Sequence, residues 1–212
     1  MSENLNYLYS VKEEKLNVIS HGLGLALSAV AFPFLIIKSL NYGDFWQSAS
    51  FVIYGLSMLI LYAASTFYHA AKNPKKRRKL NILDHAAIYV LIAGSYSPFC
   101  LVGLNSNLGW YMFLFVWFFA LTGIILKLFF TGKFGKISTA MYLLMGWQVM
   151  FFIKPLMESI SASGFQFLIA GGVFYSIGAV LYSIKKMPYN HAIFHVFVLL
   201  GSGSHFMAIY NL

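Results

Sequence analysis

Seven apolar stretches follow one another along this chain, at residues 18–38, 46–70, 82–103, 109–130, 137–154, 165–184 and 191–211. Each is close to the roughly 20 residues that an α-helix needs to cross a hydrocarbon core of about 30 Å. Helices are also the only open-ended structures that satisfy their own backbone groups in lipid. The stretches therefore predict an all-α membrane protein, a bundle of seven transmembrane helices. Composition agrees: 10% of the residues are charged and 59% are hydrophobic. Soluble proteins carry about 25% charged residues, and a globule with so few could not cover its surface. The fifth stretch is the weakest, because Pro155 and Glu158 follow it closely.

The connections are short, from NYGD after the first stretch to KKMPYN before the last. They leave no room for a separate soluble domain, so residues 1–212 are expected to form one seven-helix domain. The opening MSENLNYLYSVKEEK lacks the basic start and small-residue cleavage site of a signal peptide, so the first apolar stretch is expected to stay as a helix. The single cysteine, Cys100, excludes an intrachain disulfide and reads as a small apolar residue near a helix end. Trp46, Trp110 and Trp147 lie near span ends, as an aromatic belt requires, Trp147 less neatly than the others.

The net charge of +9 would suggest a nucleic-acid partner in a soluble protein. Here it collects in loops, and no nucleic acid is expected. With the N-terminus in the cytosol, Lys12, Lys15, the basic residues of 72–79, Lys127, Lys133, Lys136, Lys185 and Lys186 all face inward. Only Lys38 and Lys154 face outward. This asymmetry predicts a cytoplasmic N-terminus and, after seven spans, an external C-terminus. The run PKKRRK then reads as a clamp on the anionic headgroups of membrane lipids.

That topology gathers scattered polar residues at one depth. His69 ends the second span, Asp84 and His85 begin the third, His191 and His195 begin the seventh, and His21 lies early in the first. His205 alone falls in the outer half. His191 and His195 are four apart and share a helix face, a spacing that lets two imidazoles bind one metal. His69 can add a third nitrogen. Three histidines leave a fourth position for water, the open arrangement of catalytic zinc, and zinc lowers the pKa of that water to about 7. Asp84 can take a proton from the water or hold it. Ser65, one turn before His69, can bond Asp84, the water or a substrate oxygen. Blander readings stand beside these. A histidine pair at this spacing is often structural, Asp84 can simply cap a helix, and Ser65 can simply pack. His85 points to another face than Asp84, and His205 reads as a packing or hydrogen-bonding residue.

The blocks EEKLNVISHGLG (13–24), STFYH (65–69), LDHAAIYVLIAGSYSPF (83–99) and HAIFHVFVLLGSGSHF (191–206) closely resemble the hemolysin III group of bacterial membrane proteins. That group sits with the progestin and adiponectin receptors, in a wider set resembling alkaline ceramidases. The resemblance implies a seven-helix bundle in the bacterial plasma membrane, crossing it several times, with zinc near the cytosolic face. It implies zinc ligands at His69, His191 and His195, an aspartate holding the zinc-bound water at Asp84, and an accompanying serine at Ser65. Glu14, Asn17 and His21 match a further block of the family.

Three functions follow as expectations. One is zinc-dependent hydrolysis of a lipid amide held within the bundle, with Asp84 as base and Ser65 assisting. Another is a receptor or sensor in which zinc is structural and a lipid is the ligand. The third is a lytic or pore-forming protein, as the family name implies, although no amphipathic strand pattern supports a pore.

Overall fold

A computed structural model of the chain describes residues 9–130, 135–184 and 186–212. The first eight residues, Lys133 and Lys185 lie outside the described residues, as does the side chain of Lys136. The elements are α1 (Val11–Tyr42), α2 (Phe45–Ala70), α3 (Pro74–Pro98), α4 (Asn107–Phe130), α5 (Gly135–Gly146), α6 (Ile153–Ser159), α7 (Ala162–Ser183) and α8 (Asn190–Tyr210). No strand occurs among the described residues. Among the described residues six helices are long and apolar enough to cross a membrane, and α5 with its 3₁₀ extension (Trp147–Phe151) and α6 make a seventh crossing if taken as one broken span. The chain is a multi-pass membrane protein.

The break in the fifth span has a local cause. The axis turns by 62° between Phe151 and Ile153. Pro155 has no N–H to give the carbonyl of Phe151, and its ring crowds that carbonyl. Helix α6 therefore restarts in a new direction.

Two helices begin earlier than the apolar runs suggest. Helix α1 starts at Val11, where Ser10 accepts a hydrogen bond from the Glu13 amide at 3.2 Å, so Glu13 and Glu14 fall in its first turn. Helix α3 starts at Pro74, with Asn73 accepting from the Lys76 amide at 3.1 Å. Asp84 thus stands well inside α3, and the reading of Asp84 as a helix cap is overturned. Asn73 does that work, and the basic run 74–79 is the first part of the same helix.

Helices α1, α2, α3, α5, α7 and α8 pack as successive neighbours and close a ring, with α4 against the outside of α3. Helix α3 is the most enclosed: 72% of its most apolar stretch is buried, against 22% in α1, α4 and α7. It approaches α2 closely at Gly94, where a Cβ would overlap the Ser57 side chain. Large apolar side chains of α4 such as Phe118 and Phe129 face outward, as a lipid-facing helix requires.

Candidate metal centre

The centre is assembled by α2 and α8 and braced by α1. His69 ends α2. His191 and His195 occupy the first two turns of α8. The turn before α8 is fixed by Tyr189, in the left-handed region at φ 57°, and by Asn190, whose amide donates to the carbonyl of Tyr182 at 2.9 Å. Tyr189 gives α8 no side-chain cap. Glu13 serves instead: its carboxylate accepts from the His191 amide at 3.2 Å, placing negative charge on an unsatisfied helix N-terminus.

All three histidines are buried, and one ring nitrogen from each lies within 4.8 Å of the others. Nε2 of His191 is 3.1 Å from Nε2 of His69 and 3.1 Å from Nε2 of His195. Nitrogens about 2.05 Å from a tetrahedral metal stand about 3.3 Å apart, so the spacing suits a small ion.

The outer hydrogen bonds decide which nitrogens carry protons. Nδ1 of His69 donates to Glu14 Oε2 at 2.7 Å, and the Asn17 amide is 3.3 Å from the same atom. Ser20 Oγ donates to the Asn17 carbonyl at 3.1 Å, so at 3.2 Å it accepts from Nδ1 of His195. Both rings therefore carry the proton on Nδ1 and turn an Nε2 lone pair inward. A proton on His191 Nε2 could serve only one of these lone pairs, whereas a cation serves all three rings. The carboxylate–histidine arrangement at Glu14 is also the usual outer support of a metal-binding imidazole. The residues present fit a divalent ion.

Glu14 is held in turn by an ion pair with Arg77. That guanidinium lies over the Tyr68 ring, 4.7 Å from its centroid, and within 3.4 Å of the carbonyls of Tyr68, His69 and Ala71. The basic run on α3 is therefore wired to the end of α2. His21 stacks on His195, with ring centroids 3.5 Å apart, and Tyr9 stacks on His191 at 4.5 Å. Burial raises the Tyr9 phenol well above its usual pKa.

Asp84 and Ser65 are buried as well. No carboxylate joins the group of mutually close donors among the described residues. Ser65 adjoins Asp84 without a hydrogen bond of normal geometry. Both line, with His191 and His195, a cavity of about 170 Å³ whose remaining walls are chiefly apolar. His85 also borders it, with Nδ1 donating to the Asn81 carbonyl at 2.8 Å and standing 3.9 Å from Asp84.

Sequence reasoning left Glu14, Asn17 and His21 without a role, and it missed Glu13, Ser20 and Arg77. The signal was present in part. Residues 14, 17 and 21 repeat at helical spacing and form a polar stripe along the first turns of α1.

A family model described as "Haemolysin-III related" matches residues 9–206. The chain is 47% identical over 202 residues to "Hemolysin-3 homolog" of Bacillus subtilis (strain 168), covering 95% of each. It is 46% identical over 199 residues to "Hemolysin-3" of Bacillus cereus, covering 94% of this chain and 91% of that protein. It is 28% identical over 174 residues to "Monocyte to macrophage differentiation factor" of Homo sapiens, covering 79% and 72%. The likeness to an animal protein fits the wider receptor grouping that the motifs resemble. The chain belongs to the haemolysin-III-related family and is a multi-pass protein of the bacterial membrane.

Proposed function

We propose that this haemolysin-III-related membrane protein is a zinc-dependent hydrolase of a lipid amide. The observation that carries the reading is the convergence of three histidine Nε2 atoms at the edge of an apolar cavity that Asp84 and Ser65 also line. His69, His191 and His195 would hold the metal. Bound there, zinc supplies Lewis acidity and a water acidic enough to ionise near pH 7.

The chain's own residues do the rest. Glu14 and Ser20 fix the rings of His69 and His195 with their lone pairs inward. Asp84, outside the ligand group, would accept a proton from water and return it to the leaving amine. Ser65 would hold Asp84 or the carbonyl oxygen in place. The apolar walls accommodate a hydrocarbon chain and exclude bulk water from the reacting end.

The test is purification in detergent without added metal, with zinc measured by mass spectrometry and turnover measured on a panel of N-acyl lipid amides. Wild type and Asp84→Asn should each carry about one zinc per chain, and His69→Ala and His195→Ala should carry none. Turnover should fall at least about 100-fold in Asp84→Asn. A folded, zinc-loaded wild type that hydrolyses no amide in the panel sinks the proposal.

One observation favours a second reading, a receptor or sensor with structural zinc. Helices α2 and α8 meet chiefly through α1, so a metal between them would act as a strut. A zinc-loaded, inactive protein that loses its fold on chelation fits that reading. The printed names of the two Bacillus relatives favour a third, lytic one. Leakage of liposomes that persists in Asp84→Asn would support it.

A further inference from the structure

The cavity that begins at Asp84 and the histidine cluster does not end in apolar side chains alone. His205 lines it as well. Ten residues separate it from His195 on α8, a rise of about 15 Å. The stretch between is walled mainly by groups such as Leu91, Phe99, Leu168 and Val198, and the hydroxyls of Ser95, Tyr96 and Ser176 on the same lining already donate to the carbonyls of Ile92, Gly146 and Gly172.

The His205 ring is tightly seated. It lies against Gly171, where a Cβ would overlap it, and edge-on to Tyr175 with centroids 5.3 Å apart. The residue keeps some exposed surface, but both ring nitrogens are buried. The backbone of Leu168 is nearby, yet neither nitrogen makes a protein hydrogen bond of normal geometry. A buried imidazole in a membrane protein that leaves its donor and acceptor unused carries a cost that packing alone does not explain, because leucine or phenylalanine would fill the space without it.

We propose that His205 recognises a hydroxyl group carried part-way along the hydrocarbon chain of a lipid lying in this cavity. The inference rests on the reading of the cavity as a lipid site. A neutral imidazole presents an N–H on one side and a lone pair on the other. A hydroxyl both donates and accepts, so it can pair with either nitrogen once a small turn of the ring brings that nitrogen to the cavity wall, of which His205 is already part. A keto oxygen can only accept, and a methylene does neither. The separation of about 15 Å corresponds to roughly twelve carbons of extended chain at bond lengths near 1.5 Å. The favoured occupant is therefore a long-chain lipid hydroxylated near its middle, with its polar end at the histidine cluster.

The experiment is a binding measurement by calorimetry in detergent, using stearate, 12-hydroxystearate and 2-hydroxystearate as probes on wild type, His205→Phe and His205→Gln. Wild type should bind 12-hydroxystearate about three- to tenfold more tightly than stearate, the range expected from one hydrogen bond. In His205→Phe that ratio should fall to about one with stearate affinity unchanged, and His205→Gln should retain a preference. Any preference for 2-hydroxystearate, whose hydroxyl lies at the cluster, should be unaffected by His205→Phe. Equal wild-type affinity for stearate and 12-hydroxystearate overturns the inference but leaves the lipid site standing, and so does a preference that survives in His205→Phe. Failure of wild type to bind any of the three acids overturns the lipid site and the inference together. The wild-type comparison decides the matter even if a variant does not fold.

Discussion

Glu14 couples the histidine cluster to the rest of the protein. Its carboxylate accepts from His69 Nδ1 on one side and pairs with Arg77 on the other, in a setting where an unpaired charge would be costly. Removing that charge frees the His69 ring to turn and to change tautomer. Glu14→Gln should weaken zinc affinity about 10- to 100-fold, read by competition with a chelator of known affinity. Unchanged affinity would mean that Glu14 serves the helix terminus alone. The histidines themselves were legible in the sequence, because the i, i+4 pair shares a face and the order of the spans brings His69 to the same depth. Glu14 was not, since its partners lie on α2 and α3 and no local pattern states what a polar stripe on α1 will meet. Asp84 illustrates the opposite limit. Its position near the start of an apolar run suggested a cap, but the helix begins ten residues earlier, because Asn73 and Pro74 are better start signals than the edge of hydrophobicity.

Among the elements, α2 and α8 carry the three ligands but pack chiefly through α1. A metal shared between them would add a tie at the cluster end to the direct hydrogen bonds that Tyr54 and Tyr62 of α2 make with Ser202 of α8. Chelation should therefore lower the melting temperature, whatever chemistry the ion performs. At free zinc about 100-fold above Kd, binding adds about 2.7 kcal/mol. At about 2–4 °C per kcal/mol for a chain of this size, the loss should be about 5–10 °C by scanning fluorimetry in detergent. His69→Ala should melt at the chelated value and shift no further with chelator. A chelator shift that persists in His69→Ala would place the stabilising ion elsewhere. The contact between α2 and α3 makes a separate demand. Gly94→Val drives two methyl groups into Ser57 and should cost about 1–3 kcal/mol without altering zinc content. Span five was the least legible element. Its composition marked it as apolar and Pro155 marked its weakness, but a proline states only that the helix must break there, not that the axis will turn by 62°.

For the molecule as a whole, the helices define a ring but not which end faces the cytosol. Charge supplies the argument. Of the basic residues described, only Lys38 and Lys154 fall on the side opposite the histidine cluster, and the run 74–79 lies on the cluster side at the start of α3. A bilayer with anionic inner headgroups and an inside-negative potential holds such a run in the cytosol. This orientation would put the cluster and Asp84 near the cytosolic face, so that a lipid in the cavity would present its polar end there and its chain toward His205. The prediction is tested with single cysteines placed in a Cys100→Ser background. Ser161→Cys, between α6 and α7, should react with a membrane-impermeant maleimide in intact cells. Lys72→Cys, between α2 and α3, should react only after the membrane is opened. The reverse pattern would invert the bundle, place the histidine cluster at the outer face, and require its metal and its lipid to arrive from outside the cell.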